Sequence, residues 1–539
     1  MEIIEHFGIL SLLPPALTII LALIFKDVIL ALVVGILSGT ILATKGNILS
    51  AIGIFADSMA DVLADEWNIR IFLFCALLGG LVALLTKTGA AQSFGNWAAG
   101  KLKSRRGALL FTFFFGVIIF IDDYFNSLSV GTAMRPVCDR LKISRAKLAY
   151  ILDSTAAPIC IIAPISSWVV TVMSCTRKSQ GFSELGISEF DFFLRMIPYN
   201  FYVFLTLLMI LVVIFFNCDF GPMRRSELRA KKGEGLYDVQ TYGKAIDSEE
   251  ADSINHAHPF DMIIPLLILI LSAIISFPVV TWKLAVGKNG LTTFEEAFHS
   301  IGLNDAFCNT DASCALMYSI VITILLTTVY FLGRRLMNIR DISESITAGI
   351  RSMVPALIIL ALAWTIGTII KSSPDEGGVG LASYLAEIVK NYSFPYTLIP
   401  VSAFLLSCLI AFSTGTSWGT MAIMIPIVLP IIIAAAEAQH LTGNSLLNAV
   451  CFTMSATIGG AIFGDHSSPI SDTTILSATG ANCPCLEHVA TQAPYALTTA
   501  ISAAVGYSVG CLGGMSLIIG ATTALLCFFF LLFLFSRIL

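Results

Sequence analysis

Charge is what this sequence has least of. Lys, Arg, Asp and Glu make up 12% of its 539 residues, roughly half the share of a soluble chain. The few basic residues gather in short loops, and the formal charge is −5. No basic face remains to hold nucleic acid. The start (Met1, Glu2, Glu5, His6) lacks the basic opening of a signal peptide and no small-residue cleavage site follows, so residues 9–25 read as a retained span kinked near Pro14 and Pro15. Catalytic and metal signatures are missing too. The seven histidines (His6, His256, His258, His299, His440, His466, His488) form no triad, there is no nucleotide loop, and Cys483-Pro-Cys485 is not a CxxC pair. Neither an enzyme nor a cofactor is expected. Of 13 cysteines, Cys75, Cys160, Cys408, Cys451 and Cys527 sit in apolar stretches as small core residues. Cys308 and Cys314 share a loop and could pair if it faced an oxidising compartment.

What the chain has instead is apolar length. Hydrophobic residues make up 56%, and runs of about 17–25 recur throughout, each long enough to cross a bilayer as a helix. This predicts an all-α polytopic membrane protein. Clean spans fall near 9–25, 28–44, 71–88, 196–217, 260–281, 315–333, 353–371, 494–511 and 515–535. Polar-interrupted spans fall near 146–174 and 446–479. Two regions, 107–137 and 396–436, are too long for one helix and too broken for two, and read as re-entrant hairpins.

Basic loops mark the cytoplasmic side. Lys101, Lys103, Arg105 and Arg106 precede the first hairpin, and Arg140, Lys142, Arg145 and Lys147 follow it. It should therefore enter and leave from the cytoplasm, with Asp122–Ser127 at its tip. The loop 218–258 opens with Arg224, Arg225, Arg229, Lys231 and Lys232, and another follows Arg334, Arg335 and Arg340. The acidic stretch Asp57, Asp61, Asp65, Glu66 and the 282–314 loop then fall outside. The second hairpin carries no Lys or Arg and emerges outside. About eleven helices and two opposed hairpins result, N-terminus outside and C-terminus inside. They divide into a repeat over 1–217, a cytoplasmic linker over 218–259, an inverted repeat over 260–511, and a last helix over 512–539. Inverted repeats with unwound helices at the midplane are a design of secondary transporters. Two weak alignments support the repeat. Gly131-Thr132-Ala133-Met134 before Pro136 matches Gly419-Thr420-Met421-Ala422 before Pro426. Asp153–Ile159 resembles Asp465–Ile470, but Pro164-Ile165-Ser166 also matches Pro469-Ile470-Ser471, which leaves the register open.

Ionisable groups at membrane depth cost about 2.5–3.5 kcal/mol each and usually line a cavity. Here they cluster with Gly, Pro, Ser and Thr, the residues that unwind a helix and resatisfy its carbonyls. At the first hairpin tip the candidates are Asp122, Asp123 and Asn126; in the next span, Asp153, Ser154 and Thr155. The second tip offers Thr414 and Thr416. The run F-G-D-H-S-S-P-I-S-D-T-T at 463–474 offers Asp465, Asp472, Ser467 and Ser468, with further hydroxyls on Ser471 and Thr473, and Gly464 and Pro469 to permit a break. Such oxygens suit Na+. A carboxylate among them can be neutralised by Na+ or by H+, and that competition underlies antiport. His466, titrating near physiological pH, is a proton-relay candidate. Plainer roles are open for several of these residues. Asp122 and Asp123 could cap helices, Asp153 could pair with Arg145 or Lys147, and His466 could be a hydrogen-bonded interior residue. Trp168, Trp364 and Trp418 read as packing or interfacial anchors.

These motifs resemble the NhaC-type Na+/H+ antiporter family. The resemblance is carried by F-G-D-H-S-S-P-I-S-D-T-T-I-L-S-A-T-G with H-V-A-T-Q-A-P-Y-A-L, D-D-Y-F-N-S-L-S-V-G-T-A-M-R-P and L-D-S-T-A-A-P-I-C-I-I-A-P-I-S-S-W, over roughly 70–210 and 330–510. It makes Gly464–Thr474 the hallmark stretch. It implies the ion-transporter superfamily's scaffold and moving parts, opposed hairpins, elevator-type motion and a homodimer in the cell (inner) membrane. The expected function is Na+/H+ exchange. The alternative is a Na+- or H+-coupled carrier of a small organic solute such as an amino acid or carboxylate, and relatives in the family include malate and lactate exchangers. No Arg sits clearly inside the membrane, Arg135 being the nearest, which favours a cation or zwitterion over a dicarboxylate. Two unequal hairpins fit a carrier better than a channel, whose filters come from symmetric repeats. Hydroxyls beside each Asp suit ion coordination better than a paired-aspartate protease.

Overall fold

The structure, a computed structural model, describes residues 6–538 apart from 26, 178, 244–256, 288–290, 309, 382, 385–386, 388–394 and 470. Among these it is nearly all helix, without a strand. A short first pair, α1 (Leu13–Phe25) and α2 (Val28–Ala43), leads into α3 (Ile48–Ala64) and α4 (Glu66–Lys87). Then come α5 (Ala90–Lys101), the two arms α6 (Arg105–Ile118) and α7 (Asp123–Arg140), and the two halves α8 (Arg145–Cys160) and α9 (Ser167–Arg177). A short α10 (Glu189–Met196) precedes α11 (Phe201–Phe216). The linker carries α12 (Gly221–Lys232) and α13 (Val239–Tyr242).

Beyond the linker, α14 (Phe260–Ala285) is followed by α15 (Phe294–Ser300) and α16 (Leu303–Cys308) in the 282–314 loop, then α17 (Ala312–Gly333) and α18 (Ile339–Lys371). The pattern of arms and halves then recurs. The arms are α19 (Ile399–Thr414) and α20 (Ser417–Ala438), and the halves α21 (Gly443–Ser467) and α22 (Asp472–Ala481). Two long helices close the chain, α23 (Cys485–Leu512) and α24 (Leu517–Ile538). Among the described residues nine helices are long and apolar enough to cross a membrane, or ten if the two pieces of α18 meeting near Pro355 count as one span.

Each pair of arms packs on the broken helix that follows it: α6 and α7 on α8, α19 and α20 on α21. The second halves cross over, α9 lying against α20 and α22 against α7. Small residues set these approaches. A Cβ on Gly464 would sit 2.5 Å from the Cys408 carbonyl oxygen and 2.7 Å from the Phe412 nitrogen, so Gly464 lets α21 lie directly on α19. Gly464 was expected to permit a helix break; instead the helix runs through it to Ser467.

Two further elements differ from the sequence expectation. The acidic stretch from Asp57 to Asp65 belongs to helix α3 and its cap. Asp153–Pro158, expected to be a break, is continuous helix; α8 runs through Pro158 to Cys160 and the break follows at 161–166. Cys314 carries a free buried thiol, and the proposed partner's side chain, on Cys308, lies outside the described residues.

The linker is tied down by buried acids. Glu227 of α12 pairs with Arg105 at the start of α6 and accepts the Ser144 amide at 2.8 Å. Glu487 at the start of α23 accepts from the Ser226 hydroxyl at 2.8 Å, Arg229 at 3.3 Å and the Asp238 amide at 2.7 Å.

Candidate functional site

Four helix N-termini, those of α7, α9, α20 and α22, begin at the helix breaks, and hydrogen bonds tie each half-helix to a hairpin tip. The Ser167 amide, first in α9, donates to the Ile121 carbonyl in the first tip at 3.1 Å. Equivalently, the Asp472 amide, first in α22, donates to the Gly415 carbonyl in the second tip at 3.3 Å. Side-chain caps satisfy the orphan amides that every helix start leaves. Asp122 accepts from the Phe125 amide at 3.0 Å and from the Ser167 hydroxyl at 3.2 Å. Thr416 accepts from Gly419 at 3.3 Å, and Ser471 from Thr474 at 3.4 Å. Ser166 accepts from the Val169 amide at 3.2 Å and donates to the Cys160 carbonyl at 2.6 Å. By these bonds Ser166 and Ser471 each cap the half-helix that follows a break. Counted from the caps Asp122 and Thr416, Pro136 and Pro430 stand at equal distances.

Six residues before Ser166 and Ser471 stand Cys160 and Asp465, and Asp465 is met by three hydroxyls. It is 1% exposed. Its Oδ2 accepts from the Ser417 hydroxyl at 3.0 Å and the Thr473 hydroxyl at 2.7 Å; its Oδ1 accepts from the Ser471 hydroxyl at 2.5 Å. The two latter hydroxyls lie 3.0 Å apart. One carboxylate and three hydroxyls, drawn from the second tip and both sides of a helix break, make a set of hard oxygens. A hydroxyl donates to the carboxylate when the site is empty, and can turn its lone pairs to a cation. Asp123, the first residue of α7, is equally buried, has one oxygen with no hydrogen-bond partner, and lies within electrostatic range of Asp122 and Asp465.

The other sequence candidates fall in varied surroundings. Asp472 is exposed and accepts from the Tyr124 hydroxyl at 3.1 Å. Asn126 donates to the Gly116 and Ile119 carbonyls at 2.7 and 2.8 Å, closing the end of α6. The Thr155 and Thr414 hydroxyls bond back to their own helices. The buried Ser154 lies beside Tyr150, Tyr202 and His466. Ser467 has a hydroxyl without a partner, while the Ser468 amide donates to the Asp465 carbonyl at 3.2 Å. Trp168 and Trp364 are buried in the core.

Asp153 does not pair with Arg145 or Lys147. Arg145 pairs with Asp139 at 3.1 Å, and Lys147 with Asp219. Asp153 Oδ2 instead accepts from Gln492 Nε2 at 2.5 Å and faces His488 Nε2 at 3.3 Å and the Thr474 hydroxyl at 3.4 Å. Gln492 also donates to the His466 carbonyl at 2.7 Å, and His466 Nδ1 lies 3.0 Å from the Tyr202 hydroxyl. His488 and Gln492 were missed as site residues, although they stand four apart in H-V-A-T-Q, which puts them on one helix face. Ser417 was missed as well, although it stands within the polar tip run. Among the described residues no cluster of three His, Cys, Asp or Glu could hold a structural metal.

Comparison with known proteins adds to this geometry. The model of the Na+/H+ antiporter family matches residues 159–510. An uncharacterized protein of Haemophilus influenzae is 37% identical over 517 residues, 94% of this chain and 92% of its own length. An uncharacterized Na+/H+ antiporter of the same organism is 30% identical over 28% of each chain. The malate-2H+/Na+-lactate antiporter of Bacillus subtilis is 29% identical over 33% of this chain and 36% of its own. Among solved structures, the YdaH transporter of Alcanivorax borkumensis superposes with a TM-score of 0.51 at 13% identity, over 88% of this chain and 91% of that one. That likeness is one of fold.

Proposed function

Because the chain belongs to the Na+/H+ antiporter family, and so is a secondary transporter of the membrane, we propose that it exchanges Na+ for H+ at Asp465. The observation that carries this reading is the ring of three hydroxyls on that buried carboxylate. Na+ binds there with Ser417, Ser471 and Thr473 turned to supply oxygen. A proton on the same carboxylate removes the charge that holds Na+, so the two ions occupy the site in turn. Asp123 adds a second negative charge within range and favours a cation in the space between them. No catalytic chemistry and no cofactor enter this scheme.

The site belongs to two halves of inverted topology, each with a re-entrant hairpin, placed in the inner membrane with the N-terminus outside and the C-terminus in the cytoplasm. The paired tip-to-break hydrogen bonds support that reading, because a tip and its half-helix would move together. A homodimer would supply the static frame. A second reading, coupled carriage of a small organic solute, is favoured by the similarity to the malate-2H+/Na+-lactate antiporter of Bacillus and by the helix N-termini at the breaks, which suit a carboxylate.

Proteoliposomes with an internal pH dye test the first reading. Na+-driven proton movement by the wild type that is lost in Asp465→Asn supports it. Movement that requires an added amino or carboxylic acid would replace it with the second.

A further inference from the structure

The acid next in line, Asp153, has surroundings of a different kind. Asp465 is met by hydroxyls, which can coordinate Na+. Asp153 is met by nitrogen: the Gln492 amide at 2.5 Å and the His488 imidazole at 3.3 Å. Both side chains of the His–Asp pair are fully buried. Asp153 Oδ1 and both ring nitrogens of His488, Nδ1 and Nε2, have no hydrogen-bond partner, so the 3.3 Å approach brings the two groups together without a bond between them. An amide donor and an imidazole offer Na+ no hard oxygen beyond that of the carboxylate, whereas the imidazole takes up a proton readily. An unpartnered imidazole buried beside a carboxylate is where a proton can be held and given up.

We propose that His488 and Asp153 form a proton-carrying site separate from the cation site, so that each transport cycle moves one proton beyond the one exchanged at Asp465. This rests on the Na+/H+ reading above. Loading places a proton from water on the imidazole, giving an imidazolium held against the Asp153 carboxylate. Unloading returns it to water on the other side; at each transfer one N–H bond and one O–H bond of water exchange, and no other bond forms or breaks.

Few charges compete with the pair. On α21, Asp465 lies within electrostatic range of Asp153, and His466, whose Nδ1 lies 3.0 Å from the Tyr202 hydroxyl of α11, lies within range of both Asp153 and His488. On α8 itself, Lys147 is committed to Asp219. On α23, Glu487 turns the other way, to Ser226 and Arg229 of α12, where Glu227 is committed to Arg105. Cys485, at the start of α23, lies within range of Asp153. From α22, Asp472 is exposed, and only the Thr474 hydroxyl reaches in. That hydroxyl lies 3.4 Å from Asp153 and 3.2 Å from the Asp465 carbonyl, so it touches both sites. It offers a mechanical tie by which filling one site is felt at the other.

The test is the number of protons moved per Na+, read from the reversal of flux in proteoliposomes under set pH, Na+ and voltage gradients. The wild type is expected to move two and His488→Gln one, making the variant insensitive to voltage. Radioactive Na+ counterflow, which needs only the Asp465 site, is expected to persist in His488→Gln and to vanish in Asp465→Asn. A wild type that moves one proton per Na+ overturns the proposal without any variant. So does a His488→Gln protein that still moves two, or one that loses counterflow and thereby puts His488 in the cation site. Asp153→Asn, of nearly unchanged size, is the second variant should His488→Gln fail to fold. Absence of Na+-driven proton movement in the wild type would be the failure of the exchange reading itself, whereas exchange at one proton per Na+ is a failure of this inference alone.

Discussion

The backbone amide of Asp472 donates to the carbonyl of Gly415 at 3.3 Å, so the half-helix that carries Thr473 is pinned to the hairpin tip that carries Ser417. Gly415 ends α19 with φ of +70°, a left-handed conformation that costs a residue with a Cβ about 1–2 kcal/mol. Gly415→Ala should therefore fold and insert, but with a displaced tip carbonyl and a looser hold on Asp472. The expected result is near-normal yield after purification with transport reduced well below wild type. Full activity would mean the pinning is not needed.

Thr473 tests the oxygen set around Asp465 without touching the acid. Its hydroxyl donates to Oδ2 at 2.7 Å, and Thr473→Val keeps the shape while removing that group. Hydrogen bonds to a charged partner contribute about 1.5–3 kcal/mol, so the apparent Na+ affinity should fall about tenfold or more. The maximal rate at saturating Na+ should change much less. An unchanged Na+ dependence would remove Thr473 from the site.

How much of this could be read from residues alone differs from element to element. The two tips were legible because polar runs interrupt apolar stretches at Asp122–Ser127 and Ser413–Trp418, and the chain breaks at 119–122 and 415–416. The first broken helix was misplaced because Pro158 looks like a breaker. Inside a bundle, packing keeps a helix intact through a proline, and the break moved to Pro164. Helix α3 was missed although Asp57, Asp61 and Asp65 stand four apart, because its acids kept the stretch from reading as a membrane span. The Asp153 partners were illegible for a deeper reason. His488 lies far along the chain from Asp153, and no periodicity says that α8 and α23 are neighbours. Asp153, read as an oxygen ligand, faces the Gln492 amide and the His488 imidazole as well as the Thr474 hydroxyl.

Gly464 lies inside the stretch that looked most like an ion motif, yet its role is steric. An added methyl would meet the Ala411 Cβ and the Cys408 carbonyl oxygen, each 2.5 Å away. Gly464→Ala must push α21 from α19, at the cost of overpacking, about 1–3 kcal/mol. A lower melting temperature in detergent is expected, together with reduced transport because Asp465 follows directly. Wild-type stability would show that the two helices can part without penalty.

Outside the membrane, Asp238 gives the linker a pH-dependent anchor. Its carboxylate accepts from the Thr241 amide at 3.1 Å and hydroxyl at 2.9 Å, and Arg229 lies at 3.2 Å. The Thr241 amide bond first, then its hydroxyl and the Arg229 charge, hold this carboxyl below the usual aspartate value of 3.8. A group with a lower pKa in the folded state adds stability that is complete above the unfolded value and is lost as pH falls through the folded one. The turn Val239–Tyr242 should accordingly keep its amide protection from neutral pH down to about the ordinary aspartate range and lose it only below. Hydrogen exchange across that turn, corrected for the intrinsic rate, measures this. Asp238→Asn should exchange faster at neutral pH and show a flat profile through the acid range. Loosening of the wild-type turn well above that range would assign the pH response to another group. Because the Asp238 amide also donates to Glu487 at 2.7 Å, the same loosening should reach the start of α23, one residue from His488.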